Sequence, residues 1–96
     1  MTVSQQQALG AARDYLTVSH FSRTGLIKQL EFEGYSSADS TFAADAVGAD
    51  WNAQADGAAA DYMRVSHFSR ASLVSQLKFD GFTDAQAQHG ATSVGL

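Results

Sequence analysis

The chain has 96 residues, a net charge of −4 and no cysteine or proline. That length suits one domain or two very small ones, and without cysteine neither a disulfide nor a thiolate metal site can staple it. Six cations shared equally between the halves leave no basic patch for phosphate binding, and no apolar run approaches the ~20 residues that cross a bilayer.

The chain is organised by a repeat. Val18-Ser-His-Phe-Ser-Arg23 returns unchanged as Val65-Ser-His-Phe-Ser-Arg70, a shift of 47 positions. The same shift lays Ala11, Ala12, Asp14 and Tyr15 on Ala58, Ala59, Asp61 and Tyr62. It also lays Leu26, Gln29, Leu30, Phe32 and Gly34 on Leu73, Gln76, Leu77, Phe79 and Gly81. A fixed period of this size means one supersecondary unit used twice. Abundant alanine, absent proline and no sustained alternation predict an all-α chain.

The first predicted helix spans about 4–18, with Ala8, Ala12, Tyr15 and Leu16 on one face. The second follows Ser22, an N-cap residue flanked by Phe21 and Leu26 at hydrophobic-staple spacing. Leu26, Ile27 and Leu30 form its apolar stripe, Phe32 is expected to extend it, and Gly34 ends it in the left-handed conformation. The third begins after Ser36. Ser36 with Asp39 resembles a capping box, Thr83 with Gln86 is the full form, and Phe42, Ala43, Ala46 and Val47 are the expected inner face. Gly48 closes the unit. The second copy predicts helices over about 51–64, 69–80 and 83–93.

The expected fold is therefore all-α: two tandem three-helix, helix-turn-helix-like repeats, residues 1–48 and 49–96, packed as one unit. About 47 residues is near the lower limit for folding alone. Trp51, the one tryptophan, stands where the copies meet, and is expected with Tyr15 and Tyr62 to pack the repeats together.

The helix-turn-helix outline suggests DNA, but helices three and six carry no Lys or Arg to hold phosphates. No nucleic acid is expected. Catalytic groupings are also lacking. The serines of the repeated motif have no glycine-rich elbow and are explained as caps. Glu31 and Glu33, two apart, do not share a helix face. His20, His67 and His89 have no second ligand at helical spacing, so no metal site and no cofactor is expected; each is read as bonding nearby backbone from an interhelical turn. Arg23 and Arg70 oppose the helix dipole in a first turn. Salt bridges to Asp14 and Asp61 would explain them structurally. A partner contact is the alternative, which makes Arg23, Arg70, His20 and His67 the candidate contact residues.

Phe-Ser-Arg-x-Gly-Leu-Ile-x-Gln-Leu-x-Phe-Glu-Gly-Tyr at 21–35, Asp50-Trp51, Phe68 through Phe82 and the closing Gln88–Leu96 resemble the repeat of the host cell surface-exposed lipoprotein family, Ltp. Copy two departs at Ala71-Ser72, where copy one has Thr24-Gly25. The resemblance implies paired three-helix units and a non-enzymatic role in superinfection exclusion, in which a resident phage's lipoprotein stops incoming phage DNA. The implied partner is a phage tail component such as the tape measure protein. A cell-wall or envelope-binding domain and a helix-turn-helix regulator are the alternatives. The family's anchor depends on a signal and a lipid-modified cysteine. Residues 1–17 lack the basic start and apolar core of a secretory signal. The expectation is an excised soluble domain or a member without the anchor, at the cell surface if the native protein carries the signal.

Overall fold

A computed structural model describes residues 1–96. Six helices run in order: α1 (Val3–Val18), α2 (Arg23–Phe32), α3 (Ser37–Ala46), α4 (Trp51–Val65), α5 (Arg70–Phe79) and α6 (Asp84–Ser93). There is no strand.

The helix ends follow from local chemistry. The side chains of Ser22, Ser36, Asp50, Ser69 and Thr83 each accept from a backbone N–H in the first turn of the following helix. Thr83 and Gln86 form the full capping box. Ser36 and Asp39 do not. Asp39 has a side chain one carbon shorter than Glu, and its carboxylate takes the Ser4 hydroxyl at 2.6 Å instead. Thr2 caps α1 through a box with Gln5. Gly34 and Gly81, at φ 106° and 104°, end α2 and α5. The N–H of the residue after each reaches back to Leu30 and Leu77.

Each trio has its own core. In repeat one, α3 packs on both α1 and α2. Ala8, Ala12, Leu26, Leu30, Ala43 and Ala44 are buried there, with Tyr15, Leu16, Phe21 and Ile27 around them. In repeat two, α6 packs on α4 and α5 over Ala55, Ala59, Leu73, Leu77, Ala87 and Ala91. The alanines matter because they let helix backbones approach. At Gly90 of α6 an added Cβ would lie 2.9 Å from the Ala55 carbonyl oxygen. Two expectations fail here. Phe32 does not extend the α2 stripe: it and its counterpart Phe79 are 85% and 87% exposed. Ala46 is also exposed, and Ser40 and Ala44 take its place on the inner face.

The repeats lie end to end, giving a molecule of 44 × 20 × 20 Å. They touch, but no helix of one packs lengthwise along a helix of the other. The expected hydrophobic seam is narrow: the two cores are separate clusters, and one aromatic of repeat two reaches the core of repeat one. Trp51, first residue of α4, packs on the core of repeat one alone. Tyr15 and Tyr62 each make their hydrogen bonds inside their own repeat. Tyr15 meets Phe21 edge-on and donates its hydroxyl to Glu33; Tyr62 does the same with Phe68 and Asp80. The reason is direction. Both tyrosines reach from the end of a long helix onto the following short one, and Tyr62 also walls the cleft that faces the His20 turn.

Candidate functional site

The repeated motif itself forms the junction. The turn between α1 and α2, Ser19 to Thr24, lies against α4 and the α5–α6 turn. His20 Nδ1 is 2.7 Å from Asp61 Oδ2. The Phe21 N–H donates to Gln54 Oε1 at 2.9 Å. The Ser22 hydroxyl donates to the Asp80 carbonyl at 2.6 Å, and the Thr24 hydroxyl to the Gly81 carbonyl at 3.1 Å. Ser22 is almost wholly buried here while still capping α2.

Two glycines make the approach possible. A Cβ on Gly57, in the middle of α4, would fall 2.3 Å from the His20 ring. A Cβ on Gly81 would fall 2.1 Å from the Thr24 hydroxyl. The contact encloses a cleft of about 480 Å³, walled by Ser19, His20, Phe21 and Ser22 on one side and Asp61, Tyr62 and Phe82 on the other.

The electrostatics of the cleft are acidic. Asp61 is held below the usual carboxylate range by its bond from Arg64 first and by His20 second. Tyr62 is pushed up to about 12, by burial first and then by its bond to the Asp80 carboxylate. Tyr15 is raised chiefly by its bond to Glu33.

The four candidate contact residues are dispersed. Arg23 does not pair with Asp14. Its Nε is 2.7 Å from Asp45 Oδ1, because α2 packs on α3 and the α3 C-terminal turn lies beside the α2 start. That pair lowers Asp45 and raises Arg23. Arg70 does not pair with Asp61, which belongs to Arg64 and His20. Thr92 stands where repeat one has Asp45, so Arg70 bonds the Thr92 hydroxyl and the Gln88 side chain and carbonyl. His20 bonds a side chain of the other repeat, not nearby backbone. His89 lies within α6, not in a turn, and bonds Asp56 at 2.7 Å. His67 is exposed and makes no hydrogen bond.

Three features went unread in the sequence: the partners Gln54, Gly57 and Asp61, the role of Gly81, and the exposure of Phe32 and Phe79. One signal was available. Gly10 and Gly57 are a repeated glycine in the middle of a helix, which costs about 1 kcal/mol against alanine and asks for a packing reason.

The rest of the surface is predominantly acidic. Among ten Asp and Glu side chains, only Asp45, Asp61 and Asp84 meet a Lys or Arg. No group of His, Asp and Glu is arranged to hold a metal, and no helix is long and apolar enough to cross a membrane.

No curated protein matches the sequence significantly. Among solved structures, the fold is similar to that of Ltp, a superinfection exclusion protein from the Streptococcus thermophilus temperate phage TP-J34. The TM-score is 0.89 at 30% identity, over 96% of each chain. The family model of the host cell surface-exposed lipoproteins matches twice, over residues 4–47 and 50–94, one match for each trio of helices. Both findings cover nearly the whole chain, so this protein belongs to the host cell surface-exposed lipoprotein family, Ltp.

Proposed function

We propose that this chain is a non-enzymatic protein-binding module that excludes superinfecting phage at the cell envelope. It does so by engaging a component of the incoming tail and blocking DNA entry. The observation that carries this reading is the likeness to a phage superinfection exclusion protein, at 30% identity over 96% of each chain. The surface is consistent with it. Most carboxylates have no Lys or Arg neighbour, which suits a basic segment of a partner. Phe32 and Phe79 stand exposed at equivalent places in the two repeats, two apolar points set among charges.

The experiment is to tether the chain outside the membrane of a susceptible host and challenge it with a panel of phages. The expected result is normal adsorption with DNA injection suppressed for at least one phage. Unchanged injection across a broad panel, with the tethered protein shown to be on the surface, would overturn the exclusion role. Charge reversal at Asp14, whose carboxylate makes no hydrogen bond or ion pair, should weaken exclusion, while the Arg23-paired Asp45 should matter less.

A further inference from the structure

The junction between the repeats is built from parts that the chain carries twice, but uses once. Its donor is the turn Ser19–Thr24. Its acceptor is the wall formed by Gln54, Gly57, Asp61, Asp80 and Gly81. The shift of 47 positions places a second donor at Ser66–Ala71, and a second acceptor at Gln7, Gly10, Asp14, Glu33 and Gly34. Four of those five acceptor residues are identical to their counterparts, and the fifth is Glu for Asp, contributing through its backbone carbonyl.

The second acceptor is open. A Cβ on Gly10 or Gly34 would meet nothing within 4 Å, whereas Gly57 and Gly81 are closely covered by His20, Ser22 and Thr24. A cleft of about 290 Å³ lies there, lined by Ala11, Asp14, Tyr15, Val18, Glu33 and Tyr35. Each is the counterpart, 47 positions earlier, of a residue that repeat two contributes to the junction cleft. What is missing is the wall that the His20 turn supplies. The second donor faces no residue of repeat one: His67 is exposed and makes no hydrogen bond, and Ser69 is exposed with its hydroxyl donating to Ser72 in its own capping box. The Asp14 carboxylate, unlike Asp61, has no Arg or His beside it.

We infer that the open cleft of repeat one is a docking site for a second copy of this chain, entered by the other copy's Ser66–Ser69 turn. Three junction bonds carry over. His67 meets Asp14, the Phe68 N–H meets Gln7, and the Ser69 hydroxyl turns from Ser72 Oγ to the Glu33 carbonyl. The fourth is lost because Ala71 replaces Thr24, and Ser72 replaces the compact Gly25. The contact is polar, small and weaker than the one inside the chain, where the tether supplies a high effective concentration. It is also heterologous. Each copy offers a donor at one end and an acceptor at the other, so the arrangement adds copies along the long axis and does not close into a dimer.

The test uses the whole chain. Isotope-labelled protein is followed by amide chemical shifts and by sedimentation from about 50 µM to about 2 mM, the range where a millimolar-level contact becomes visible. The expected result is concentration-dependent shifts at Gln7, Gly10, Asp14, Gly34 and Ser66–Ser69, with a mass that passes beyond the dimer. Gly10→Leu fills the space the incoming His67 ring needs and leaves the monomer's own contacts intact. His67→Ala removes the pair to Asp14 and should weaken association about tenfold, the value of one hydrogen bond to a carboxylate. Each variant alone should stay near monomeric. Their equimolar mixture should regain one contact and stop at the heterodimer. A wild-type chain that remains monomeric throughout would overturn the proposal. So would variants that associate as wild type does, shifts centred on Phe32 and Phe79, or shifts in the cleft that appear only with a basic foreign peptide.

Discussion

Repeat one and repeat two have the same helices, caps and alanine–leucine core, yet they solve the space between the long helix and the third helix differently. Where repeat two pairs Asp56 with His89 across α4 and α6, repeat one has Leu9 and Phe42. Where repeat two has Gly90 pressed on the Ala55 carbonyl, repeat one has Ala43. Arg23 takes a carboxylate, and Arg70 takes an amide and a hydroxyl. Most shared positions carry the fold; exchanges inside the core, Ala43 for Gly90 and Ser40 for Ala87, swap one small residue for another. The difference teaches that the unit depends on the small buried residues that set helix distance, and tolerates new chemistry around them.

The largest test of the comparison is core truncation. Leu30 and Leu77 are equivalent and fully buried. Leu→Ala at either should cost about 2–5 kcal/mol. The consequences should spread unequally. Trp51 belongs to α4 but packs on repeat one, so opening repeat two strips a side chain from its neighbour's core. Native-state hydrogen exchange should show Leu77→Ala loosening all six helices, and Leu30→Ala loosening mainly α1–α3. Equal loosening everywhere in both variants would mean one indivisible cooperative unit.

Alkaline pH comes next. Tyr62 is raised to about 12 in the folded chain, from the ordinary value near 10. A raised acid favours its protonated form in the fold. Its stabilisation is therefore complete below about pH 10 and is lost as pH climbs toward 12. Spectrophotometric titration should find a tyrosine resisting ionisation to about that pH, and Tyr62→Phe should remove it while costing about 1–2 kcal/mol at neutral pH. If Tyr62→Phe leaves the latest-ionising tyrosine in place, that tyrosine is not Tyr62, and burial with the bond to Asp80 does not hold the Tyr62 proton.

The same substitution made in the two long helices should have different outcomes. Gly10→Ala meets open space and gains helix propensity, so it should stabilise by about 0.5–1 kcal/mol. Gly57→Ala gains the same propensity but drives a methyl into the His20 ring, which must swing off Asp61. Thermal unfolding should rank the first variant above wild type and the second at or below it. Equal gains would show that the His20 contact contributes nothing to stability.

These contrasts also mark how far the sequence could be read. The helices, the Ser22, Ser36, Ser69 and Thr83 caps and the Gly34 stop were legible because each depends on chemistry within a few residues. So was the family, from long repeated motifs. The arginine partners were not. Pairing Arg23 with Asp14 assumed neighbours in the chain, whereas α2 lies along α3 and brings Asp45 instead. Phe32 was misplaced because it stands two residues after Leu30, about 200° round the helix, and so turns away from the buried stripe. The junction was missed for a related reason. Trp51 does reach from α4 into the core of repeat one, as its place at the boundary suggested, but the rest of the contact uses backbone carbonyls, one buried serine hydroxyl and the space above a helical glycine, none of which has a strong signature in composition.

The smallest effect isolates one atom. Ser40 is fully buried in α3, and its hydroxyl has no hydrogen-bond partner. A buried hydroxyl without a partner keeps its desolvation cost and gains nothing in return. Repeat two has Ala87 at this position, equally buried, in a core of the same design. Ser40→Ala removes the oxygen, raises helix propensity and makes repeat one resemble repeat two there. It should stabilise by about 0.5–1 kcal/mol, seen as a higher denaturant midpoint with an unchanged slope. The reverse change, Ala87→Ser, should destabilise by a similar amount. If Ser40→Ala instead destabilises, the hydroxyl has a partner, and the repeats differ at that site in bonding as well as in composition.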